Sequence, residues 1–158
     1  MAAPGQMDTE HLLAMLERVE EESGKLYDWF SQVFADDEEA NALFARLGQE
    51  EARHRDLVRF QRQLTRRGGS GQSLDEDVED LPVVLRTITS FRVQNPFPTL
   101  REAVQFAMGL EDSPAESKYR TAIAQTSPNM AKLISSLNKG DDRHAEALFG
   151  FAKQRGLI

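Results

Sequence analysis

Apolar residues along most of this chain recur at alternating steps of three and four, the period of an amphipathic α-helix, while period-two alternation is scarce. Four helices account for the pattern. The first runs from about Thr9 to Phe34 behind Asp8 as N-cap, with Leu12, Leu16, Val19, Leu26, Phe30 and Val33 as its apolar stripe. The second starts near Asp37, where Asp36 and Glu39 have capping spacing. It follows Leu43, Phe44, Leu47, Leu57, Val58 and Leu64, and ends before Gly68-Gly69-Ser70-Gly71. The third begins after Pro96-Phe97-Pro98 with a Thr99/Glu102 capping box and continues towards Gln125. Ser127 and Pro128 open the fourth as N-cap and N1, and Gly156 closes it.

The two helix pairs are joined by residues 68–98, which hold a glycine-rich stretch, an acidic run from Asp75 to Asp80 and three prolines. Its middle, Leu81 to Phe91, fits either a short helix or an extended piece packed across the others. Such a connection is too long for an antiparallel hairpin turn and suits a long crossover in a helical bundle. Each half alone would be a two-helix hairpin with one face unburied. The chain is therefore read as one domain over residues 1–158, with residues 1–8 a flexible N-terminus and 68–98 the crossover.

Polar residues interrupt the stripes in a repeated way. In the second helix Glu51 and His54 stand where core residues belong, and the fourth repeats this along Met130, Leu133, Leu137, Asp141, His144, Leu148 and Phe151. Glu20 and Glu111 hold inward positions in the first and third. Glu20 and Glu51 are 31 positions apart and Glu111 and Asp141 are 30, and each second acid precedes a histidine by three. Burying four unpartnered carboxylates would cost several kcal/mol each, against a total stability of about 5–15 kcal/mol. Two divalent cations would neutralise them, with both imidazoles bound in neutral form. Carboxylate and imidazole without thiolate suit iron or manganese, and zinc fits the same donors. Asp8 and His11 share the spacing but have no counterpart in another helix, so His11 is read as a surface residue. Tyr27 and Tyr119 are read as core aromatics with bonded hydroxyls, within reach of a ligating carboxylate.

Composition narrows the chemistry further. The chain has no cysteine, which excludes disulfides, thiolate metal sites and a cysteine nucleophile. A formal charge of −7 argues against nucleic acid or an anionic membrane as partner. Arg53, Arg55, Arg59, Arg62, Arg66 and Arg67 lie among acids on one helix and read as a solvated face. No apolar run approaches the ~20 residues of a membrane span, and no signal-peptide pattern opens the chain, so a soluble cytoplasmic protein is expected.

With Glu20 and Tyr27 in VEEESGKLY, Glu51 and His54 in LGQEEARH, Glu111 in FAMGLE, Tyr119, and Asp141 and His144 in DDRH, the chain resembles the rubrerythrin-like, di-iron branch of the ferritin-like superfamily over roughly residues 10 to 153. The resemblance implies an all-α, ferritin-like antiparallel four-helix bundle with its long crossover between helices two and three. It implies two iron ions bridged by Glu51 and Asp141, with Glu20, Glu111, His54 and His144 as terminal ligands. The implied activity is reduction of hydrogen peroxide or dioxygen with electrons from a separate donor, commonly in a homodimer. Oxidation and storage of ferrous iron is the alternative seen in relatives, and a metal-free helical interaction module is a third class. Three positions depart from the family pattern. Asp141 replaces a glutamate, Gly140 weakens the helix beside it, and Pro114 stands where rubrerythrins carry an extra glutamate. The proline predicts a kink or π-bulge just after Glu111 and leaves Asp112, seven residues before Tyr119, as an alternative ligand.

Overall fold

Side-chain caps set most of the helix boundaries. The computed structural model describes residues 7–68, 73–74 and 80–158. α1 (Thr9–Val33) starts where the Asp8 carboxylate accepts the His11 backbone N–H at 2.8 Å. α2 (Glu38–Gly68) is capped by Asp37 rather than Asp36: its carboxylate accepts the Ala40 N–H at 3.1 Å. Arg155, near the chain's end, grips the same carboxylate with both Nη atoms at 2.8 Å, which fixes Asp37 in the capping pose.

The centre of the crossover is helical. In α3 (Asp80–Gln94), Leu81, Leu85, Ile88 and Phe91 recur at helical spacing and are all buried. Phe91 meets Phe30 of α1 edge-on at 5.7 Å between ring centroids. Ahead of it, β2 (Ser73–Leu74) pairs antiparallel with β1 (Met7–Asp8) over two residues. The expectations placed on residues 1–6, on the glycines of 69–72 and on the acids of 75–79 lie outside the described residues.

The expected third helix is two. α4 (Leu100–Glu111) begins with the Thr99/Glu102 capping box and stops at the acid; α5 (Pro114–Ala124) restarts behind Ser113. Proline disfavours helical geometry in the residue before it. Ser113 accordingly sits in extended backbone, φ −73 and ψ 113, and its hydroxyl caps the Glu116 N–H. The proline thus ends one helix and supplies N1 of the next, a full break where a kink was expected. α6 (Pro128–Gln154) opens on Ser127 and closes with Gly156 at φ 64. There Leu157 N–H reaches Ala152 O at 2.8 Å and Gly156 N–H reaches Lys153 O at 3.2 Å, the paired bonds of a Schellman motif.

Among the described residues the fold is all-α apart from the two-residue pairing, and no helix is long and apolar enough to cross a membrane. α1 packs mainly on α2, with α3 and α5 also against it, while α2, α4 and α5 all reach α6. The predicted stripes of α1 and α6 are buried except at Val33, which is exposed, and Asp141, which is partly so. On α2, Phe44, Leu47 and Val58 are buried, but Leu57 and Leu64 are not; with Phe60 they line an open groove beside α6. The α2 arginines are not simply a solvated face. Arg59 and Arg62 hold the buried Glu17 of α1 at 2.6 and 3.1 Å, and Arg66 holds Glu10 at 2.6 Å.

Candidate metal centre

The inward acids and imidazoles converge from four helices on one place. Glu20 comes from α1, Glu51 and His54 from α2, Glu111 from the last residue of α4, and Asp141 and His144 from α6. Their donor atoms form two groups that share Glu51: Glu51, Glu111, Asp141 and His144 in one, Glu20, Glu51 and His54 in the other, with the donors of each group within 4.8 Å of one another. Asp112 is exposed and belongs to neither group; Glu111 does. His11 lies on the surface, its Nδ1 2.6 Å from Asp8.

The spacings around His54 are longer than those of hydrogen-bonded pairs. His54 Nδ1 stands 3.7 Å from Glu20 Oε2, 3.8 Å from Glu51 Oε2 and 3.8 Å from Asp141 Oδ1. Those distances are too long for hydrogen bonds. They are close to what donors each about 2.1 Å from a common centre would show, roughly 3.0 Å apart at right angles and 3.6 Å at 120°. Both His54 nitrogens are buried without a hydrogen bond, and so is His144 Nδ1, which lies 3.0 Å from Glu51 Oε1 and 3.5 Å from Glu111 Oε1. An orphaned buried imidazole nitrogen facing carboxylates is the mark of donors that suit a cation. The two oxygens of Glu51 point to opposite histidines, Oε1 to His144 and Oε2 to His54. A small internal space of about 10 Å³, bordered by Glu20, Tyr27, Glu51, Glu111 and Asp141, lies among them.

Each imidazole is oriented by a different device. His144 pairs through Nε2 with Glu50, leaving Nδ1 for the centre, the carboxylate–imidazole arrangement that fixes a ligating tautomer. His54 has no such partner, and its Nε2 edge rests on Gly140 of α6. A β-carbon there would fall 2.4 Å from Nε2 and 2.6 Å from Cε1. The glycine that weakens α6 next to Asp141 is what admits the ring. Tyr27 donates its hydroxyl to Glu111 Oε1 at 2.8 Å, tying the end of α4 to α1.

One cation of the chain's own belongs to the site, and the sequence pattern did not mark it. Arg120 of α5, 4% exposed, donates through Nη2 to Glu20 Oε1 at 2.7 Å and to Glu116 Oε1 at 2.9 Å. Through Nη1 it holds Asn138 Oδ1 at 3.1 Å and Asp141 Oδ2. A continuous third helix would put Ala115 and Tyr119 inward; the restart at Pro114 brings Glu116 and Arg120 in as well. Their spacing of four was the available signal. The added acid and the added base pair with each other, Arg120 Nη2 to Glu116 Oε1.

Electrostatics reflect this crowding. Burial tends to raise the Glu20 carboxyl, but the adjacent Glu51 carboxyl, the nearby His54 ring and the Arg120 charge outweigh it and hold it at about 2. Burial and the neighbouring Glu20 charge push Glu51 well above the usual carboxylate range. Burial carries Glu116 up to about 8 and Asp141 up to about 6, in both cases against the pull of Arg120. His144, lowered by burial, is raised overall by Glu111 and Glu50, and burial lifts the Tyr27 hydroxyl well above its ordinary value. Beside the centre, a solvent-open cavity of about 530 Å³ forms at the α4–α5 break and reaches Glu111, Pro114, Glu116, Arg120 and Asp141.

Comparison of the chain with family models, with curated proteins and with solved structures finds no match.

Proposed function

We propose that this chain is a di-iron oxidoreductase of rubrerythrin type that reduces hydrogen peroxide or dioxygen with electrons from a separate donor. The observation that carries the reading is the pair of donor groups sharing Glu51, with buried imidazole nitrogens that make no other bond. On this reading the helices form a ferritin-like four-helix bundle in which α4 and α5 together fill the place of the third helix and α3 lies in the crossover. Glu20, Glu51 and His54 would hold one ion and Glu51, Glu111, Asp141 and His144 the other. Manganese and zinc satisfy the same donors.

The bound metals would supply two electrons, so that hydrogen peroxide takes up two protons and leaves as two waters. The residues around them have separable tasks. Glu51 spans both positions, and Tyr27 and Glu50 hold Glu111 and His144 in place. The opening at the α4–α5 break is wide enough for peroxide and lined by polar groups. Glu116, paired with Arg120 at 2.9 Å, borders that opening.

Metal analysis of protein purified without chelator tests the reading. About two transition-metal ions per chain are expected, with a rise in melting temperature on loading and turnover of peroxide when a reductant is supplied. Glu51→Ala should abolish the metal and the metal-dependent stabilisation together. A chain that consumes many ferrous ions instead of turning over peroxide would be an iron-handling protein. One that takes up fewer than about 0.2 ions, with no gain in melting temperature, has no metal centre.

A further inference from the structure

Arg120 does more than neutralise charge, because of which oxygens it takes. It binds Glu20 through Oε1 and Asp141 through Oδ2. The oxygens left facing His54 are Glu20 Oε2 and Asp141 Oδ1, one from each carboxylate. Asp141 Oδ1 stands 3.8 Å from His54 Nδ1 and 3.9 Å from His144 Nδ1, so it too presents a single atom between the two imidazoles. Glu51 alone turns one oxygen to each side.

The consequence falls unequally on the two groups. The His144 group holds three carboxylates, one of them, Asp141, also engaged by the arginine, and its imidazole is backed by Glu50. The His54 group holds two carboxylates, one of them engaged by the arginine, and an imidazole with no partner behind it. A fixed positive charge against one of only three donors opposes a second cation there more than in the richer group. Arginine is suited to this role, since its planar fork can grip two carboxylates at once and it does not give up its proton.

We propose that Arg120 is a positioning residue that holds Glu20 and Asp141 to one donor oxygen each and so makes the two metal positions unequal, with a firmly held ion on the His144 side and an exchangeable one on the His54 side. This rests on the two-metal reading. It gives the chain one position able to take up and release metal while the other keeps the site assembled.

Calorimetric titration of the metal-free full chain with cobalt(II), with bound metal counted by elemental analysis, tests it. The wild-type chain should take one ion tightly and a second at least about tenfold more weakly. R120Q should tighten the second step by about tenfold or more and change the first by less, since the arginine takes one of three donors on the His54 side and one of four on the His144 side. The double variant E116Q/R120Q keeps the formal charge of the site while still freeing Glu20 Oε1 and Asp141 Oδ2, and should show the same tightening. Circular dichroism checks that each variant folds, and the wild-type titration stands without them. Two ions of equal affinity in the wild type would overturn the role of Arg120 and leave the two-metal reading intact. So would a double variant that behaves like the wild type, which would reduce the arginine to bulk charge. No cobalt bound by any of the three would sink the two-metal reading itself.

Discussion

The edge of the His54 ring occupies the space that any side chain at position 140 would need: an ideal β-carbon on Gly140 falls 2.4 Å from His54 Nε2. α2 and α6 are in contact at the centre because one of them has no side chain there.

Replacing that glycine sets two effects against each other. Alanine gains about 1 kcal/mol of helix propensity, but overpacking a tight interior costs about 1–3 kcal/mol. Gly140→Ala is expected to be destabilised overall in urea unfolding and to hold fewer metal ions than the wild type, with the loss on the His54 side. A stabilised variant with full metal content would show that the ring moves freely.

Glu50 acts on the centre through His144 alone, since it pairs with Nε2 and belongs to neither donor group. Partners of this kind typically contribute ~10–100-fold to metal affinity. Glu50→Gln should weaken the tighter cobalt step by about that factor while the fold, followed by circular dichroism, is unchanged.

Tyr27→Phe removes the hydroxyl that Glu111 accepts, and nothing else of the ring's packing against Phe44. The net loss of one buried hydrogen bond to a charged group is about 1.5–3 kcal/mol. We expect a lower unfolding midpoint. We also expect weaker metal binding, because Glu111 is the terminal residue of α4 and depends on that bond for its direction.

Acid sensitivity has a defined source at the other end of the molecule. Hydrogen bonds from Arg155 and the Ala40 N–H hold the Asp37 carboxyl below the usual range. Its contribution to stability is therefore fully present above the unfolded carboxyl value, and is lost as pH falls through the lower folded one. The difference in urea midpoint between wild type and Asp37→Asn should be constant near neutrality and shrink below about pH 4. A gap that stays the same down to pH 2 would place the effect in hydrogen bonding alone.

Much of this was legible along the chain because caps and periodicity act locally. The Thr99/Glu102 box, Ser127 with Pro128, and the buried stripe from Met130 to Phe151 follow from nearest neighbours on a helix, and the structure has all three. The acid and histidine positions were readable for the same reason: each stands where a helical stripe calls for an apolar residue.

What the sequence left open is where phase and long-range contact decide. Ser113 and Pro114 were visible as a disturbance, but whether a helix kinks or restarts depends on what the second piece packs against. The restart turned Glu116 and Arg120 inward, and Arg120 then met Glu20 across 100 residues of sequence. Gly140 looked like a weakness in α6 until the His54 ring, from another helix, was found to fill its place. Asp37, not Asp36, caps α2, and Arg155, 118 residues away, binds the same carboxylate. The sequence by itself determined most helix starts and the inward acid and histidine positions, through short-range hydrogen bonding and helical period. Only the tertiary structure decided which oxygens remain for a ligand, because distant charges and close approach set that.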